Sequence, residues 1–356
     1  MKSTTVGIDL AKQVFATCTL DDKGTVIARK ELQRDALPGW LCQLPAGTVV
    51  AMEACSSAHH WGRFCQAQGL IPRLMAAQFV KPFRKSSAVK HDRNDAEATA
   101  TAARLGNMRF VPVKSVEQQV RLSGHRAREG YKKDALALSN RIRGLLSEFG
   151  VAIPASGAAL RRVLADLDQL GLPESLLPLI RQLQAHWIDV GQRIKECDDA
   201  IKKRADQDEA CRRIQSLIGV GPMTADAVVA TIGNARHFHN GRQFAAWLGL
   251  TPGQYSSGGT VRLGRITRRG DPYLRTLLIQ GARSSVQRAK VTSGDRQLPE
   301  QRWIVSLSVR LPFGKVLAAV ANKHARQIWA MLAYGVDYDP EAAGKNLVAQ
   351  HNRCVA

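Results

Sequence analysis

The hydrophobic and polar positions of residues 1–112 alternate in short runs separated by turn residues. Five apolar runs predict five β-strands, at residues 4–9, 13–20, 25–32, 48–53 and 71–76. The segment Asp21-Asp22-Lys23-Gly24 is typical of a hairpin turn between the second and third strands. Helices are predicted at about 57–68 and over the alanine-rich stretch 92–105. This chain order is that of an RNase H-like α/β fold, in which the first and fourth strands lie side by side.

Residues 113–210 have the periodicity of long helices, with loops or hinges expected between Gly150 and Pro173. Beyond Leu176, apolar residues recur at alternating steps of four and three, the spacing of a coiled coil. These positions are Ile180, Leu183, Trp187, Val190, Ile194, Cys197 and Ile201. Such a seam pairs two subunits or packs two helices of one chain. An amphipathic helix on an ordinary core gives the same spacing.

The rest of the chain is predicted to be mainly helical. Within it, Ile214 to Ala225 combines apolar residues with a Gly-Val-Gly turn and resembles a helix–hairpin–helix element. In such an element Gly219 and Gly221 let backbone N–H groups approach a phosphate at a helix N-terminus. A plain turn between two helices gives a similar string. The sequence thus divides into an α/β domain, a helical coiled-coil region, a mainly helical domain and a tail, at residues 1–112, 113–210, 211–333 and 334–356.

The composition is that of a globular protein with two or three domains, since 45% of the 356 residues are hydrophobic and 23% are charged. Apolar stretches stay well short of the ~18 residues that cross a bilayer, so no membrane segment is expected. The N-terminus runs directly into a strand pattern, so no signal peptide is expected either. The seven cysteines lack CxxC spacing, which argues against a zinc site or a disulfide framework and favours a reducing cytoplasm.

Positive charge is concentrated towards the C-terminus. The whole chain has a formal net charge of +21, and residues 211–356 hold 20 Lys and Arg against 7 Asp and Glu, a net of +13. Such a concentrated excess indicates a polyanionic partner, of which nucleic acid is the commonest. A basic surface that only increases solubility or binds acidic lipid explains less well why the positive charge is concentrated in one region.

Four carboxylates lie in three short segments. Asp9 and Glu53 end apolar runs, and Asp92 and Asp95 lie three residues apart, on one face of the alanine-rich helix. Clustered acids repel each other, so in a basic protein such a group points to a divalent cation. Two strand ends and one helix face are therefore expected to converge on one or two Mg²⁺ ions, with Mn²⁺ as a substitute.

A glycine-rich segment at 255–259 contains two adjacent serines and precedes a run of arginines. The hydroxyls of Ser256 and Ser257 on a flexible turn, flanked by guanidinium groups, suit attack on a phosphodiester. The arginines are Arg262, Arg265, Arg268 and Arg269. A loop whose arginines only hold backbone phosphates has the same composition, and without further context it is the preferred interpretation.

These motifs in this order resemble the DEDD transposases of insertion sequences, relatives of Piv-type DNA invertases. The resemblance covers nearly the whole chain. The N-terminal half is similar to their RuvC-like domain through Gly7-Ile8-Asp9, Glu53 and Lys90-x-Asp92-x-x-Asp95-Ala96. The C-terminal half is similar to their transposase domain through Gly219-Val220-Gly221-Pro222, Gly249-Leu250-Thr251-Pro252, Ser256-Ser257-Gly258-Gly259, Arg265-Ile266 and Gly270-Asp271-x-x-Leu274-Arg275.

The resemblance implies a bacterial recombinase, associated with the nucleoid, that excises and inserts a mobile element in double-stranded DNA. It implies that the RuvC-like acids bind Mg²⁺ while a serine of the second domain attacks DNA and forms a transient phosphoserine link. It also implies a structured noncoding RNA (a bridge RNA), encoded by the element, that guides the protein by pairing with target and donor DNA. Dimers that assemble into tetramers are expected as well.

The resemblance assigns roles to individual residues of this chain. Asp9, Glu53, Asp92 and Asp95 correspond to the metal ligands. The nucleophile precedes a glycine, which favours Ser257, with Ser256 as the alternative. Candidate nucleic-acid contacts are Lys12, Lys90, Gly219, Gly221, Arg262, Arg265, Arg268, Arg269 and Arg275. The acids and the serines lie about 200 residues apart, so they are expected to meet through folding or across a subunit interface.

Three other classes of protein share part of the pattern. An actin-like or sugar-kinase-like ATPase also opens with a strand that ends in Gly-Ile-Asp, but it needs two lobes and a second glycine-rich phosphate loop, and the sequence indicates neither. A Holliday-junction nuclease has four such acids and uses water as its nucleophile, so it has no use for the Ser-Gly segment. A non-catalytic nucleic-acid-binding protein explains the charge but leaves the four acids without a role.

Overall fold

A computed structural model describes residues 4–84, 92–256 and 258–340 of the chain, and for Asp92, Arg93 and Asp295 it describes the backbone alone. The chain divides into two compact units, Met1–Glu117 and Gln118–Ala356. The first unit is a mixed α/β structure and the second is largely helical. The helical region that precedes residue 211 belongs to the same unit as the residues that follow it.

The first unit is built on a six-stranded sheet with the order β3-β2-β1-β4-β5-β6. Its strands are β1 Thr5–Asp9, β2 Val14–Leu20, β3 Val26–Gln33, β4 Val49–Glu53, β5 Ile71–Met75 and β6 Phe110–Val111. Strands β1 to β3 are antiparallel, while β4 lies parallel to β1 and to β5. The five predicted strands and the contact between the first and the fourth are therefore confirmed, and this strand order fits an RNase H-like domain. The two-residue strand β6 is too short to give a periodic signal.

Helices cover both faces of this sheet. They are α1 Leu37–Cys42, α2 Ala58–Ala67, α3 Ala77–Val80 and α4 Asp92–Ala102. One face buries Val6, Ile8 and Phe15 against α1 and α2. On the opposite face, the alanines of α4 pack against β1, β2 and β4. A sheet covered on both faces explains why β1 and β4 are continuous apolar runs rather than alternating ones.

Helix α4 touches the sheet backbone at Gly7. A Cβ atom on Gly7 would lie 2.1 Å from the carbonyl oxygen of Ala96 and 2.6 Å from the nitrogen of Ala100. No side chain fits in that space, and the alanines of α4 allow the same close approach from the helix side. The small alanine side chains of α4 therefore allow the turn that carries the acids to pack directly against β1.

The second unit contains nine helices and one hairpin among its described residues. The helices are α5 Val116–Ser147, α6 Gly157–Ala165, α7 Leu177–Gln207, α8 Glu209–Gln215, α9 Pro222–Ile232, α10 Gly241–Trp247, α11 Pro272–Val291, α12 Pro299–Arg310 and α13 Phe313–Tyr334. The hairpin consists of β7 Pro252–Gln254 and β8 Leu263–Ile266. Helices α8 to α13 share one core, to which Phe244, Leu278 and Ile328 contribute.

The predicted seam of α7 packs against helices of the same chain. Ile180 shares a buried cluster with Ile142 and Leu146 near the end of α5, and Leu183 and Trp187 pack against that cluster. At the opposite end of the pair, Arg128 of α5 forms an ion pair with Asp198 of α7. The start of one helix therefore faces the end of the other, and the two form an antiparallel pair within one chain.

The range 150–173 contains the expected loops, and between them lies a helix that was not predicted, α6. The hydroxyl of Ser156 caps this helix by accepting a hydrogen bond of 3.1 Å from the backbone N–H of Ala159. Leu160 and Leu164 then pack into the cluster between α5 and α7. A nine-residue helix with one cap and two buried leucines gives a weak periodic signal, which the flanking glycines and prolines obscured.

Candidate active site

The acids at the strand ends lie next to each other. Ile8 of β1 is paired with Met52 of β4 in the parallel register, so Asp9 and Glu53 follow at neighbouring C-terminal strand ends. Asp95 lies on α4, one residue before Ala96, whose carbonyl faces Gly7 of β1. The strand register and the helix contact therefore bring these three acids to the same edge of the sheet.

Arg84 links two of these acids through its guanidinium group. Its Nη2 donates a hydrogen bond of 3.2 Å to Oε1 of Glu53, and its Nε lies 2.9 Å from Oδ1 of Asp95 in an ion pair. The Asp95 side chain is only 9% exposed, so Arg84 is a close ion-pair partner for a carboxylate that has little contact with water. No motif or spacing in the sequence points to Arg84, which lies near the end of the basic segment Lys81 to Lys85.

Asp9 lies close enough to act on Cys55, the residue two positions after Glu53. Burial raises the pKa of the Cys55 thiol, and the negative charges of Glu53 and Asp9 raise it further. Asp9 and Glu53 thus share one electrostatic environment. Asp92 begins α4, one helical turn before Asp95, and its side chain is outside the described residues. Three of the four predicted acids are therefore gathered, and the fourth is on the same helix.

The chemistry of these donors suits a hard divalent cation. Carboxylate oxygens are the ligands that Mg²⁺ and Mn²⁺ prefer. The position between Glu53 and Asp95 already holds a positive charge, supplied by the Arg84 guanidinium. Among the residues that the structure describes, no three acid, histidine or cysteine side chains are close enough to hold a metal ion as they stand. A divalent ion at this position would therefore replace the Arg84 contacts.

The serine segment is the loop of the β7–β8 hairpin. The hydroxyl of Ser256 accepts hydrogen bonds from Nε2 of Gln254 at 2.8 Å and from the backbone N–H of Arg262 at 3.3 Å. Both contacts hold Ser256 to the base of the loop. Ser257 lies outside the described residues, and so does Lys90. Gly258 and Gly259 follow with φ of +54° and +78°, a backbone conformation that glycine adopts without strain.

The candidate phosphate-binding arginines differ in their surroundings. Nη1 of Arg275 donates a hydrogen bond of 3.1 Å to the carbonyl of Leu248, which ties α11 to the end of α10. Arg268 has a φ of +54°, unusual for a residue with a side chain. The backbone of Arg269 is so close to Gly249 that a Cβ there would lie 2.1 Å from the Arg269 carbonyl oxygen. Arg262 and Arg265 are exposed at the hairpin, and Lys12 is exposed beyond β1.

The Gly-Val-Gly turn lies between α8 and α9, as a helix–hairpin–helix element requires. A Cβ on Gly219 would lie 2.4 Å from both the Gly281 carbonyl oxygen and the Ser285 hydroxyl of α11. Packing against α11 therefore explains why Gly219 lacks a side chain. Gly221 has open space around its Cβ position, at the N-terminus of α9.

A buried polar network, which sequence analysis missed, joins α5 to α9 and α11. Asp226 accepts a hydrogen bond from Nε of Arg121 at 3.0 Å, and its Oδ2 lies 2.8 Å from Nε2 of His125. Nδ1 of His125 lies 2.9 Å from the hydroxyl of Tyr273. Burial alone would raise the pKa of Asp226, but the contact with His125 and the charge of Arg121 lower it overall. Arg121 and His125 are close together on α5, but their contacts Arg121–Asp226, His125–Asp226 and His125–Tyr273 span 105, 101 and 148 positions, so no local pattern reveals the network.

Comparison with known proteins identifies the chain as an enzyme that processes DNA. Residues 6–151 match the model of a DEDD transposase of the IS110 type, and residues 211–297 match the model described as "Transposase IS116/IS110/IS902 family". The chain is also 42% identical over 344 residues to the "Probable family 20 transposase" of Pseudomonas aeruginosa, covering 96% of this chain and 100% of that protein. The chain belongs to the IS116/IS110/IS902 family of transposases.

A second relative supports the same assignment. The transposase for insertion sequence element IS1111A of Coxiella burnetii is 38% identical over 332 residues, covering 92% of this chain and 89% of that protein. Both relatives align with nearly all of the chain, including the two units. Within the part of the chain that the structure describes, none of the helices combines the length and the apolar character needed to cross a membrane.

Proposed function

We propose that this transposase excises and inserts an insertion sequence by phosphoryl transfer, with Ser257 as the nucleophile and the acids Asp9, Glu53, Asp92 and Asp95 as metal ligands. The observation that carries the proposal is the gathering of Asp9, Glu53 and Asp95 at one edge of the sheet, where Arg84 places a positive charge between Glu53 and Asp95. Carboxylates that converge on a cation are the usual means of holding Mg²⁺ at a phosphodiester.

The acids hold the metal, and the arginines of the hairpin hold the substrate. A bound Mg²⁺ or Mn²⁺ ion polarises the scissile phosphate and makes a nearby hydroxyl more acidic. Arg262 and Arg265 extend from the hairpin that carries the serines, where their guanidinium groups neutralise charge that develops on the phosphate. A divalent ion held by Glu53 and Asp95 would take the place of the Arg84 guanidinium.

The serine reaction exchanges one phosphoester for another. The Ser257 oxygen forms a bond to phosphorus, the bond between phosphorus and a DNA oxygen breaks, and the hydroxyl proton ends on that leaving oxygen. The phosphoserine link keeps the energy of the broken ester, so the reverse step joins the DNA to a new end without a nucleotide cofactor. The two hydrogen bonds that Ser256 accepts support a positioning role for it beside Ser257.

Target choice is assigned to a guide RNA encoded by the element, with the protein acting as a dimer that assembles into a tetramer. The support is the resemblance to bridge-RNA-guided recombinases together with the net charge of +13 on residues 211–356, which is ample for binding both DNA and RNA. The acids and the serine would have to reach the same phosphate, either within one chain or across a subunit interface.

The decisive experiment is trapping of the covalent protein–DNA adduct. Ser257→Ala should abolish the adduct while nucleic-acid binding stays within a few fold of the wild type. Ser256→Ala is the comparison variant: it removes the contacts with Gln254 and Arg262 and should slow formation of the adduct without abolishing it. Loss of the adduct in Ser256→Ala alone would transfer the nucleophile to Ser256. Mg²⁺-dependent cleavage without any adduct would instead identify a nuclease that uses water.

A further inference from the structure

A large groove of about 1860 Å³ opens beside the serine hairpin. Strand β8 and Pro252 contribute part of its lining, and helices α10, α12 and α13 contribute most of the rest. Six basic side chains line it: Arg242, Arg265, Arg268, Lys315, Lys323 and Arg326. Asp339 is the acid in the same lining. The groove is therefore strongly electropositive.

Most of these cations have no acidic partner. Within residues 4–84, 92–256 and 258–340, Arg242, Arg265, Arg268, Lys315 and Arg326 form no ion pair with a carboxylate, in contrast to the buried Arg121 and the half-buried Arg128. A buried charge needs a partner within the protein, whereas these five side chains are exposed and remain available to an anionic ligand. Several unpaired cations that face one groove repel each other unless an anion joins them.

The sixth cation is held in place by an aromatic ring. Nζ of Lys323 lies 4.4 Å from the centre of the Trp303 ring and 3.9 Å from Oε1 of Glu300. These contacts fix the ammonium group at the wall of the groove and partly remove it from water. An attraction to phosphate is stronger there than for a freely moving surface lysine.

The same groove has an extensive apolar lining. Leu250, Pro252, Ile266, Trp303 and Leu317 contribute to it. A DNA duplex presents phosphates and sugars on its outside and keeps its bases paired within, so it offers little to an apolar floor. A single strand presents both phosphates and unpaired base faces, which match cationic walls and an apolar floor together.

We propose that this groove binds a single strand of DNA beside the serine hairpin. The inference rests on the proposed function, because the hairpin strand β8 lines the groove and the loop of that hairpin carries the proposed nucleophile. The phosphates contact Arg242, Lys315 and Arg326, and the bases lie over the apolar floor. The groove thereby holds the strand next to the bond that is attacked.

The first test is a charge-neutralising double variant, Lys315→Gln with Arg326→Gln. Both side chains are exposed, so the fold should be retained. Affinity for a single-stranded oligodeoxynucleotide of about 20 residues should fall at least tenfold. The slope of log affinity against log salt concentration should fall by about 0.7 for each phosphate that the variant no longer binds. The matched control is Lys202→Gln with Lys203→Gln, which removes the same charge from exposed positions of α7 and should leave affinity within twofold.

Single-strand binding by the groove and formation of the adduct by Ser257 can be tested independently. Ser257→Ala should keep the single-strand affinity even where it abolishes the covalent adduct, and the groove variant should bind the single strand weakly whether or not an adduct forms. Equal affinity of the groove variant and its control would overturn the proposal. So would a weakening confined to duplex DNA or to RNA, which would assign the groove to that ligand.

A second measurement does not depend on any substitution. A single-stranded oligodeoxynucleotide containing 5-iododeoxyuridine, bound to the wild-type protein and irradiated, should crosslink to peptides that line the groove. Those peptides cover residues 240–252, 263–268 and 299–330. Crosslinks found only outside these ranges would contradict the assignment.

Discussion

The acid cluster depends on the absence of a side chain at Gly7. Its Cα faces the backbone of α4, where an added Cβ would meet main-chain atoms rather than a movable side chain. Strand and helix must separate to accept any side chain, and Asp95 would then move away from Asp9 and Glu53. The sequence motif Gly7-Ile8-Asp9 is therefore one structural unit, in which the glycine positions an acid that lies far away in sequence.

Gly7→Ala should lower the free energy of unfolding of the first unit by about 3 kcal/mol, the upper part of the range for overpacked sites. Gly106→Ala is the matched control, because no atom lies within 4 Å of its Cβ position. Urea denaturation followed by circular dichroism measures both. Equal stability of the two variants would show that α4 can shift without cost.

Arg84 acts as the counterion of Glu53 and Asp95 when no metal is bound. Arg84→Gln should lower the melting temperature in metal-free buffer and increase the upward shift caused by Mg²⁺, because the ion no longer competes with a guanidinium group. Arg29→Gln, which removes the partner of Glu97, should leave the Mg²⁺ shift unchanged. Asp95→Asn should reduce that shift. A wild-type response in both Arg84→Gln and Asp95→Asn would remove these two residues from the metal site.

At the scale of elements, α13 carries a buried histidine that makes stability depend on pH. His324 is 1% exposed, and its Nε2 lies 3.7 Å from Oε1 of Glu300. Burial lowers the pKa of His324 from 6.5 to about 4, against the opposing charge of Glu300 and with a further lowering by Lys323. Because the unfolded chain takes up this proton first, stability is fully present above pH 6.5 and is lost as the pH falls towards 4.

The shift corresponds to about 3 kcal/mol of stability lost between pH 7 and pH 4. Urea denaturation at a series of pH values measures it. His324→Gln should flatten the curve over this interval, whatever its effect at neutral pH. His186→Gln, at an exposed position of α7, should leave the curve unchanged. A wild-type slope in His324→Gln would assign the loss to other groups.

The elements differ in how far local sequence determines them. Strands β1 and β4 were predictable because burial on both faces produces continuous apolar runs that end at Asp9 and Glu53. The hairpin strands β7 and β8 have three and four residues, too few for any periodicity, so the serine loop could be recognised only by its composition. Arg84 and the Asp226 network depend on contacts between distant segments, which no spacing rule encodes.

Contacts between distant segments also explain single residues that local sequence patterns left ambiguous. The glycine at 219 was expected to admit a phosphate, and its immediate reason is the close contact with Gly281 and Ser285 of α11. The seam of α7 was compatible with a subunit interface, and its apolar positions near Trp187 are already covered by the chain itself. Sequence spacing identifies a face of a helix, whereas the partner of that face is a property of the fold.

At the scale of the whole molecule, a net charge of +21 makes nucleic-acid binding strongly dependent on salt. If a guide RNA is part of the active particle, protein purified from its host should carry one defined RNA species encoded beside its own gene. Sequencing of the bound RNA measures this, with a wash at about 1 M salt to remove non-specific fragments. A mixture of unrelated host transcripts would show electrostatic binding without guidance.

The buried network at Asp226 lies at one end of the antiparallel pair formed by α5 and α7. A 31-residue helix such as α7 is ~46 Å long, so the two ends of the helix pair are separated by about that distance. Because His125 also contacts the hydroxyl of Tyr273, this network joins the base of the helix pair to the first turn of α11, which follows the serine hairpin along the chain. A substitution that breaks the network should therefore loosen both the helix pair and the start of α11.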